Sequence, residues 1–452
     1  MTDPARRVPL RIAAEPAALA LLLVGIAVAL GHVGDWRAEL GRFQALMLVA
    51  FAAYALAVAR RARWRGLPGA GAFVVVTALA LRVAVLGTPP ALSDDLYRYA
   101  WEGRVLAHGA DPYAHAPADP ALAGLRDREI QPHVNHPELR AIYPPFAELG
   151  FALVARVRES LLTYKLWVLL HDLALCALLA WWCAARGTRA EHGSASAWDA
   201  LAYAWNPLAV AEYAGSGHFD PTGMLWLVLA LALAERRGAR AQHGSTPASH
   251  RSAAGSAASL FAAVGVKLVA LAALPFLARA WSVRVRVACT LAIAALLAAY
   301  VAFARGPGSG LEAFAARWRH NDSLFALVAA GAGDRVARYL VAGAMLALVA
   351  WLFHRRVAAL DATRLCLRAG LLLSPVLHPW YLGWVLALEP LGPSAAWLAL
   401  SCTVLLGYGS FAPPAAGGAY HPSAWIKLIE FGVPLLVATV TRRRRTTGPD
   451  RS

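Results

Sequence analysis

The chain holds 452 residues, 59% of them hydrophobic and only 15% charged, with a mean hydropathy of +0.50. That composition excludes an ordinary soluble domain, which would expose too much apolar surface at so low a charge density. A net charge of +16 and a pI near 10.2 do not mark a nucleic-acid binder, because the basic residues sit in short clusters between apolar runs and not on one amphipathic face.

Apolar runs close to the 20 or so residues that cross a bilayer core recur along the chain. The first three, AAEPAALALLLVGIAVALGHV, ALMLVAFAAYALAV and AGAFVVVTALALRVAVLG, read as three crossings. The first follows Arg6 and Arg7 as a signal peptide's core would, but it is long and lacks a clean small-residue cleavage pattern, so it reads as a retained helix. Later runs are LWVLLHDLALCALLAWWCAA, MLWLVLALALAE, VACTLAIAALLAAYVAFA, YLVAGAMLALVAWLF, AAWLALSCTVLLGYGSF and IEFGVPLLVATV. The expected fold is an all-α polytopic membrane protein, a bundle of roughly 11–14 transmembrane or re-entrant helices. Residues 1–452 read as a single integral membrane domain without internal repeat. All five cysteines, Cys176, Cys183, Cys289, Cys366 and Cys402, fall in apolar runs and read as packing residues.

Basic clusters at Arg6 and Arg7, at RRARWR ending in Arg65, at Arg236 and Arg237, at Arg355 and Arg356 and at Arg442 to Arg445 fit the positive-inside rule, with both termini cytoplasmic. Three crossings then set residues 89–142 outside as the longest connecting loop, and a loop of that length in a compact protein usually carries function. After it, FAELGFALVARV and the run from Trp167 are both apolar, yet only one crossing there keeps the later clusters inside, so one of the two lies along the interface or re-enters. Residues 238–256, rich in Gly, Ser and Ala with His243 and His250, read as a flexible cytoplasmic loop. Two runs read as broken helices: SLFAAVGVKLVALAALPFL, interrupted by Lys267, and AGLLLSPVLHPWYLGWVLAL, interrupted by Pro375, His378 and Pro379. Irregular backbone at membrane depth is tolerated only where it is buried or lines a cavity, which puts both breaks near one polar pocket on the outer side.

The long loop opens with SDDLYRYAWEGRVLAHGADPY. Ser93 followed by two acids is a good helix start, with Ser93 as N-cap. Asp95 then shares a face with Tyr99 and Glu102, while Asp94 meets Arg98 one turn on, leaving one carboxylate paired and the other available for chemistry. A capped interfacial helix is the plainer reading, but a cap needs only one such group. In GSGHFDP, His218 and Asp220 fall in a turn where Gly215 and Gly217 give freedom and Asp220 can cap the next helix. Lys267 is one of three lysines in an arginine-rich chain, and an ionisable group inside an apolar run is a functional hypothesis by default. His378 is followed by Trp380 and Tyr381, aromatics suited to an interface or a sugar ring. His108, His115, His133 and His136 share the loop with Asp111, Asp119 and Glu138, but the spacing of His133 and His136 matches no metal signature.

These stretches, with IYPPFAELGF, WNPLAVAEYAGSGHFDPTGML, GVKLVALAALP, NDSLF at Asn321 and LLLSPVLHPWYLGW, resemble in order the GT-C membrane glycosyltransferases, specifically the bacterial polyprenol-phosphate-mannose-dependent type that includes the GT87 mannosyltransferases. The resemblance implies an enzyme facing the periplasm or cell exterior that moves a sugar, mannose above all, from a polyprenyl-phosphate donor to a lipid or glycan acceptor. It places the essential acid in the DLxxY-like context of Asp95 to Tyr99, making Asp95 the general base, Asp94 its neighbour and His378 a catalytic or phosphate-binding group. The leaving phosphate needs cations and donors, for which Arg98, Arg104, Lys267, His378 and Arg319 are candidates; Glu102, His218, Asp220 and Tyr381 complete the expected substrate site. No cofactor is required, although adjacent acids at Asp94 and Asp95 offer hard ligands for a divalent cation. Expected partners are the sugar donor, the acceptor and membrane lipids, with no nucleic acid. A transporter or flippase is the main alternative, but carriers usually show paired breaks in two related halves, and a non-catalytic scaffold would not explain Lys267 or the two acids.

Overall fold

The computed structural model describes residues 10–188, 195–241, 247–411 and 423–446; Arg6, Arg7 and His243 lie outside them. Among the described residues every regular element is a helix, with no strand and one isolated bridge between His320 and Val376. Among the described residues five helices are long and apolar enough to cross a membrane: Ile12–Gly31, Leu40–Trp64, Leu161–Gly187, Val283–Ala304 and Asp334–His354. Ala70–Val85, Leu268–Ala278 and Ala395–Gly409 are shorter apolar helices. The chain is an all-α polytopic membrane protein.

Its helices gather into two compact units, one formed by residues 1–92, 173–216 and 386–452, the other by 93–172 and 217–385. Each is assembled from separated stretches, so no linker or composition shift marks a boundary in the sequence.

In the first unit, α1 (Leu10–Gly31), α2 (Leu40–Arg60) and α3 (Ala70–Val85) pack together. At Gly31 a side chain would sit 2.2 Å from the carbonyl oxygen of Ala84, so the approach of α1 to α3 requires glycine. Glu15 near the start of α1 accepts from Arg60 and from Trp64 Nε1, and Arg61 pairs with Asp199 at 2.7 Å. The basic cluster at 60–65 is thus anchored at the end where α1 begins. Buried polar groups find partners: Tyr54 donates to the carbonyl of Ala202 at 2.6 Å, and Asn206 donates to Ser401 at 3.0 Å.

In the second unit, α4 (Asp95–Ala107) crosses α5 (Pro145–Val157), followed by α6, Leu161–Gly187, which begins here. Gly103 is the crossing point, where a Cβ would lie 2.5 Å from the carbonyl oxygen of Phe151 and 2.3 Å from the Tyr164 hydroxyl. With 13 residues, α5 is only about 20 Å long, short of a bilayer core, and α6 with 27 residues is the candidate crossing. That resolves which of the two apolar stretches after the long loop does not span.

The stretch expected as a flexible loop at 238–256 is instead mostly helix, because the helix Asp220–Ala241 continues into it and the helix Pro247–Val266 starts within it. The cause is its alanine content, the best helix former, together with serines that bond the partner helix: Ser252 and Ser256 donate to the carbonyls of Leu233 and Ala230 at 3.0 and 2.9 Å. In the same unit Arg279 donates to the carbonyls of Phe353 and Val357, tying two more basic sites to one end. Of the cysteines, Cys176, Cys183, Cys289 and Cys366 are buried and Cys402 is half-buried, all as free thiols.

Candidate functional site

The site residues expected from sequence fall in the second unit. Asp95 is the first residue of α4, and the N-cap position is held by Asp94, whose side chain makes no capping bond. Ser93, expected as the cap, sits one residue earlier, and its hydroxyl accepts from the Asp95 amide at 3.2 Å. The Asp95 side chain is 21% exposed. One of its oxygens, Oδ1, accepts from the Asn135 amide at 2.7 Å. The other, Oδ2, accepts a longer bond from the Tyr99 hydroxyl at 3.4 Å and has His218 Nε2 at 4.0 Å. Burial first, then the charge of Asp95, push the Tyr99 phenol well above its ordinary value, so it stays protonated and donates rather than competing as a base.

Arg98 does not meet Asp94 as expected. Its Nε donates to Glu102 at 2.8 Å, and its terminal nitrogens donate to the carbonyls of Asn135, His136, Leu139 and Arg140 at 2.7 to 3.1 Å. A guanidinium has five N–H groups, and all are engaged in fixing residues 135–140 over α4. The i to i+4 geometry of Glu102 outcompetes Asp94 because both members of the Arg98–Glu102 pair are buried, at 5% and 2% exposure, where a charge without its partner is costly. Behind them Glu148 of α5 lies against Glu102; burial first, then the neighbouring Glu102 charge, raise its carboxyl well above the ordinary range. Glu148 is thus the member of the pair that resists ionisation, while Glu102 serves Arg98. Arg104 is likewise engaged, with Asp127 at 2.6 Å and Glu159 at 2.7 Å.

Lys267 marks the first helix break. It has extended backbone between the helix ending at Val266 and a 3-10 turn, Leu268–Ala273. Its Nζ meets Asp220 Oδ1 at 2.5 Å and lies 4.6 Å from the centre of the Tyr381 ring and 5.4 Å from that of Phe219. Trp384 Nε1 donates to the same Asp220 oxygen at 2.6 Å. Asp220 thus begins the helix Asp220–Ala241 without capping it: its carboxylate is fully buried and turned to a cation. The preceding turn uses Gly217 at φ +83°, against which Leu96 and Lys165 pack closely. Phe219 in turn packs with Tyr99, Tyr143 and Phe151, joining this cluster to that of Asp95.

The second break begins after the helix Ala359–Leu373, and His378 is extended before the turn Pro379–Leu382. Four rings stack in a column: His218 on Trp380 at 3.8 Å, Trp380 on His378 at 4.3 Å, and His378 on His320 at 4.5 Å between centroids. Backbone bonds between His320 and residues 375 and 377, at 3.0 and 2.8 Å, fix the far end. Tyr381 stands edge-on to His378 and under Lys267, so the two breaks meet. Arg319 pairs with Asp322 at 2.5 Å and Asp334 at 2.7 Å. Sequence reasoning missed Asn135, His320 and Trp384. Trp384 and the neighbour of His320 lie in stretches already singled out, whereas Asn135, in HVNHPELR, carried no signal. Among the described residues no group of three or more His, Cys, Asp or Glu side chains is arranged to hold a metal ion.

A polytopic helical fold in which two helix breaks bring a lysine and stacked aromatic rings together is the setting for the one comparison that identifies the chain. The sequence matches the family described as alpha-(1->6)-mannopyranosyltransferase, N-terminal domain, over residues 30–284. That is more than half of the chain, and the chain belongs to this family, a GT-C mannosyltransferase group. The matched stretch contains Asp95, Asn135, Asp220 and Lys267 and ends before His320 and His378. No curated protein and no solved structure matches the chain.

Proposed function

We propose that the protein transfers mannose from a polyprenyl-phosphate-linked donor to a lipid or glycan acceptor on the outer face of the plasma (inner) membrane, with Asp95 as general base. The observation that carries this reading is the asymmetric setting of a part-exposed Asp95, with one carboxylate oxygen held by Asn135 at 2.7 Å and the other reached only by the longer Tyr99 hydroxyl bond and by His218. An acceptor hydroxyl attacking the anomeric carbon must lose its proton, and a held carboxylate with one available oxygen suits that task. The family's description carries an α-(1→6) linkage, so the nucleophile is taken to be a 6-hydroxyl. Direct displacement inverts the anomeric centre, which implies a β-linked phosphate donor.

Phosphate leaves with its charge spread over oxygens and needs donors rather than an acid. Lys267 supports this role: of its three N–H groups, Asp220 takes one, leaving two for a phosphate. His378 stands beside it. Arg98, Arg104 and Arg319 are engaged within the fold, and in this reading they and Glu102 build the site's walls, while His218, Tyr381 and the Trp380 column face the sugar. Asp94 is the neighbour that keeps the entrance acidic. The basic clusters at residues 60–65 and 355–356, with Arg60, Arg61 and Arg279 anchored within the fold, support a cytoplasmic assignment for those ends and for both termini.

The test uses membranes carrying wild type or Asp95→Asn, given radiolabelled polyprenyl-phosphate-mannose and a native lipid extract. Release of label from the donor by wild type alone, at equal protein level, supports the proposal. Equal release by both removes Asp95 from the mechanism, and release by neither removes this donor and acceptor pair.

A further inference from the structure

Neither the family nor the motifs assign Asn135 a part, yet it makes the closest side-chain contact to Asp95, 2.7 Å from its amide nitrogen to Oδ1. Its placement is not left to a mobile loop. Arg98 donates to the carbonyl of Asn135 itself and to those of His136, Leu139 and Arg140. His136 adopts φ +47°, a left-handed conformation rare outside glycine, which turns the chain directly after Asn135. Further on, the Arg140 amide bonds the carbonyl of Gly308 at 2.9 Å, and its guanidinium bonds that of Arg305 at 2.8 Å. A strained residue, a buried arginine and a second loop all serve to hold one short segment over the start of α4.

We propose that Asn135 is a positioning residue for Asp95, fixing the carboxylate through Oδ1 so that Oδ2 alone is presented to the acceptor hydroxyl, and that the Arg98 clamp exists to hold Asn135 there. This rests on the reading of Asp95 as the base. An amide suits the role because it is neutral: it orients the carboxylate by a single donor and leaves its negative charge intact, whereas an ammonium would form an ion pair and compete with the substrate proton. The rotation that Asn135 prevents would spread Asp95 over orientations in which neither oxygen points at the nucleophile, and small misplacement of a reacting group is expensive.

The experiment compares wild type, Asn135→Ala, Asn135→Asp and Asp95→Asn as full-length protein in membranes, at equal level, in the mannose-release assay with varied donor. The expected result is a fall in kcat of about 10- to 100-fold for Asn135→Ala with KM for the donor within about twofold. Asn135→Asp keeps the shape of the side chain but sets a second carboxylate against Asp95 in place of the neutral donor, and its kcat falls at least as far. A wild-type rate in the Asp variant means that shape alone matters and overturns the proposal, as does a loss confined to KM in the Ala variant. If the Ala variant fails to accumulate, the Asp variant alone decides. Full activity of Asp95→Asn overturns the base assignment itself, an outcome distinct from an inactive Asp95→Asn beside a fully active Asn135→Asp.

Discussion

Asp95 and Asp220 each begin a helix, yet the fold treats them as opposites. Asp95 is 21% exposed and meets a neutral amide, with its second oxygen only loosely attended. Asp220 is fully buried, and one of its oxygens receives both the Lys267 ammonium and the Trp384 indole N–H. Position at a helix start therefore says little about the work an acid does; its partners decide. A buried carboxylate held by both an ammonium and an indole N–H is an anchor. One oriented by an amide keeps its charge for chemistry.

Exchanging each acid for its amide is the sharpest way to break this contrast. Asp95→Asn is expected to lower mannose transfer by about 10²- to 10⁴-fold, the range for loss of a general base, with little change in the thermal unfolding midpoint. Its mirror is Lys267→Met, which strands the Asp220 carboxylate in the interior with only Trp384 for a partner. Removing one member of a fully buried pair costs about 3–5 kcal/mol; Lys267 is 21% exposed, so this variant should lose less than that yet still show a lower unfolding midpoint in detergent. Adding Asp220→Asn to Lys267→Met should recover much of that loss, because no buried charge remains. If Lys267→Met is as stable as wild type, the contrast between the two acids is wrong.

A smaller effect separates the two regions mechanically. Gly103 lets α4 touch α5, and a Cβ there meets the backbone oxygen of Phe151 at 2.5 Å. Gly103→Ala should cost about 1–3 kcal/mol, as overpacking does, and should reduce transfer by moving α4 while leaving the Lys267–Asp220 pair in place. Unfolding midpoint and transfer rate measured on the same preparation check both halves.

The all-α membrane fold, the break at Lys267 and the break around His378 were legible because each leaves a mark in hydropathy: a long apolar run, then one polar residue or a proline in its midst. The partnership of Tyr99 with Asp95 was legible because four residues make one helical turn. The partner of Arg98 was not, since Asp94 and Glu102 both lie four residues away and burial decided between them. Asn135 lies 40 residues from Asp95, and no local pattern announces such a contact. The helices within 238–256 were missed because a Ser, Gly and Ala composition reads as a linker until a second helix is present to receive the serines.

Glu148 offers the gentlest test, since it supports the Asp95 region from behind without approaching Asp95. Burial first, then the charge of Glu102, hold its carboxyl well above the usual range, and Glu102 is raised too, by burial, against the pull of Arg98. A carboxyl whose value is raised by folding keeps its proton in the native state where the unfolded chain would release it. The stability it contributes is complete below the ordinary carboxyl range near 4.5 and is lost as pH rises through the raised native value. Wild type should therefore lose stability as pH rises above the ordinary carboxyl range, as two adjacent carboxylates come to share the space beside one Arg98. Glu148→Gln supplies a permanent neutral amide in place of the protonated acid, so its unfolding midpoint should be close to wild type at low pH and flatter as pH rises from there. A wild-type slope that survives in Glu148→Gln would show that some other group takes up the proton, and would detach the Glu102–Glu148 pair from the clamp that positions Asn135.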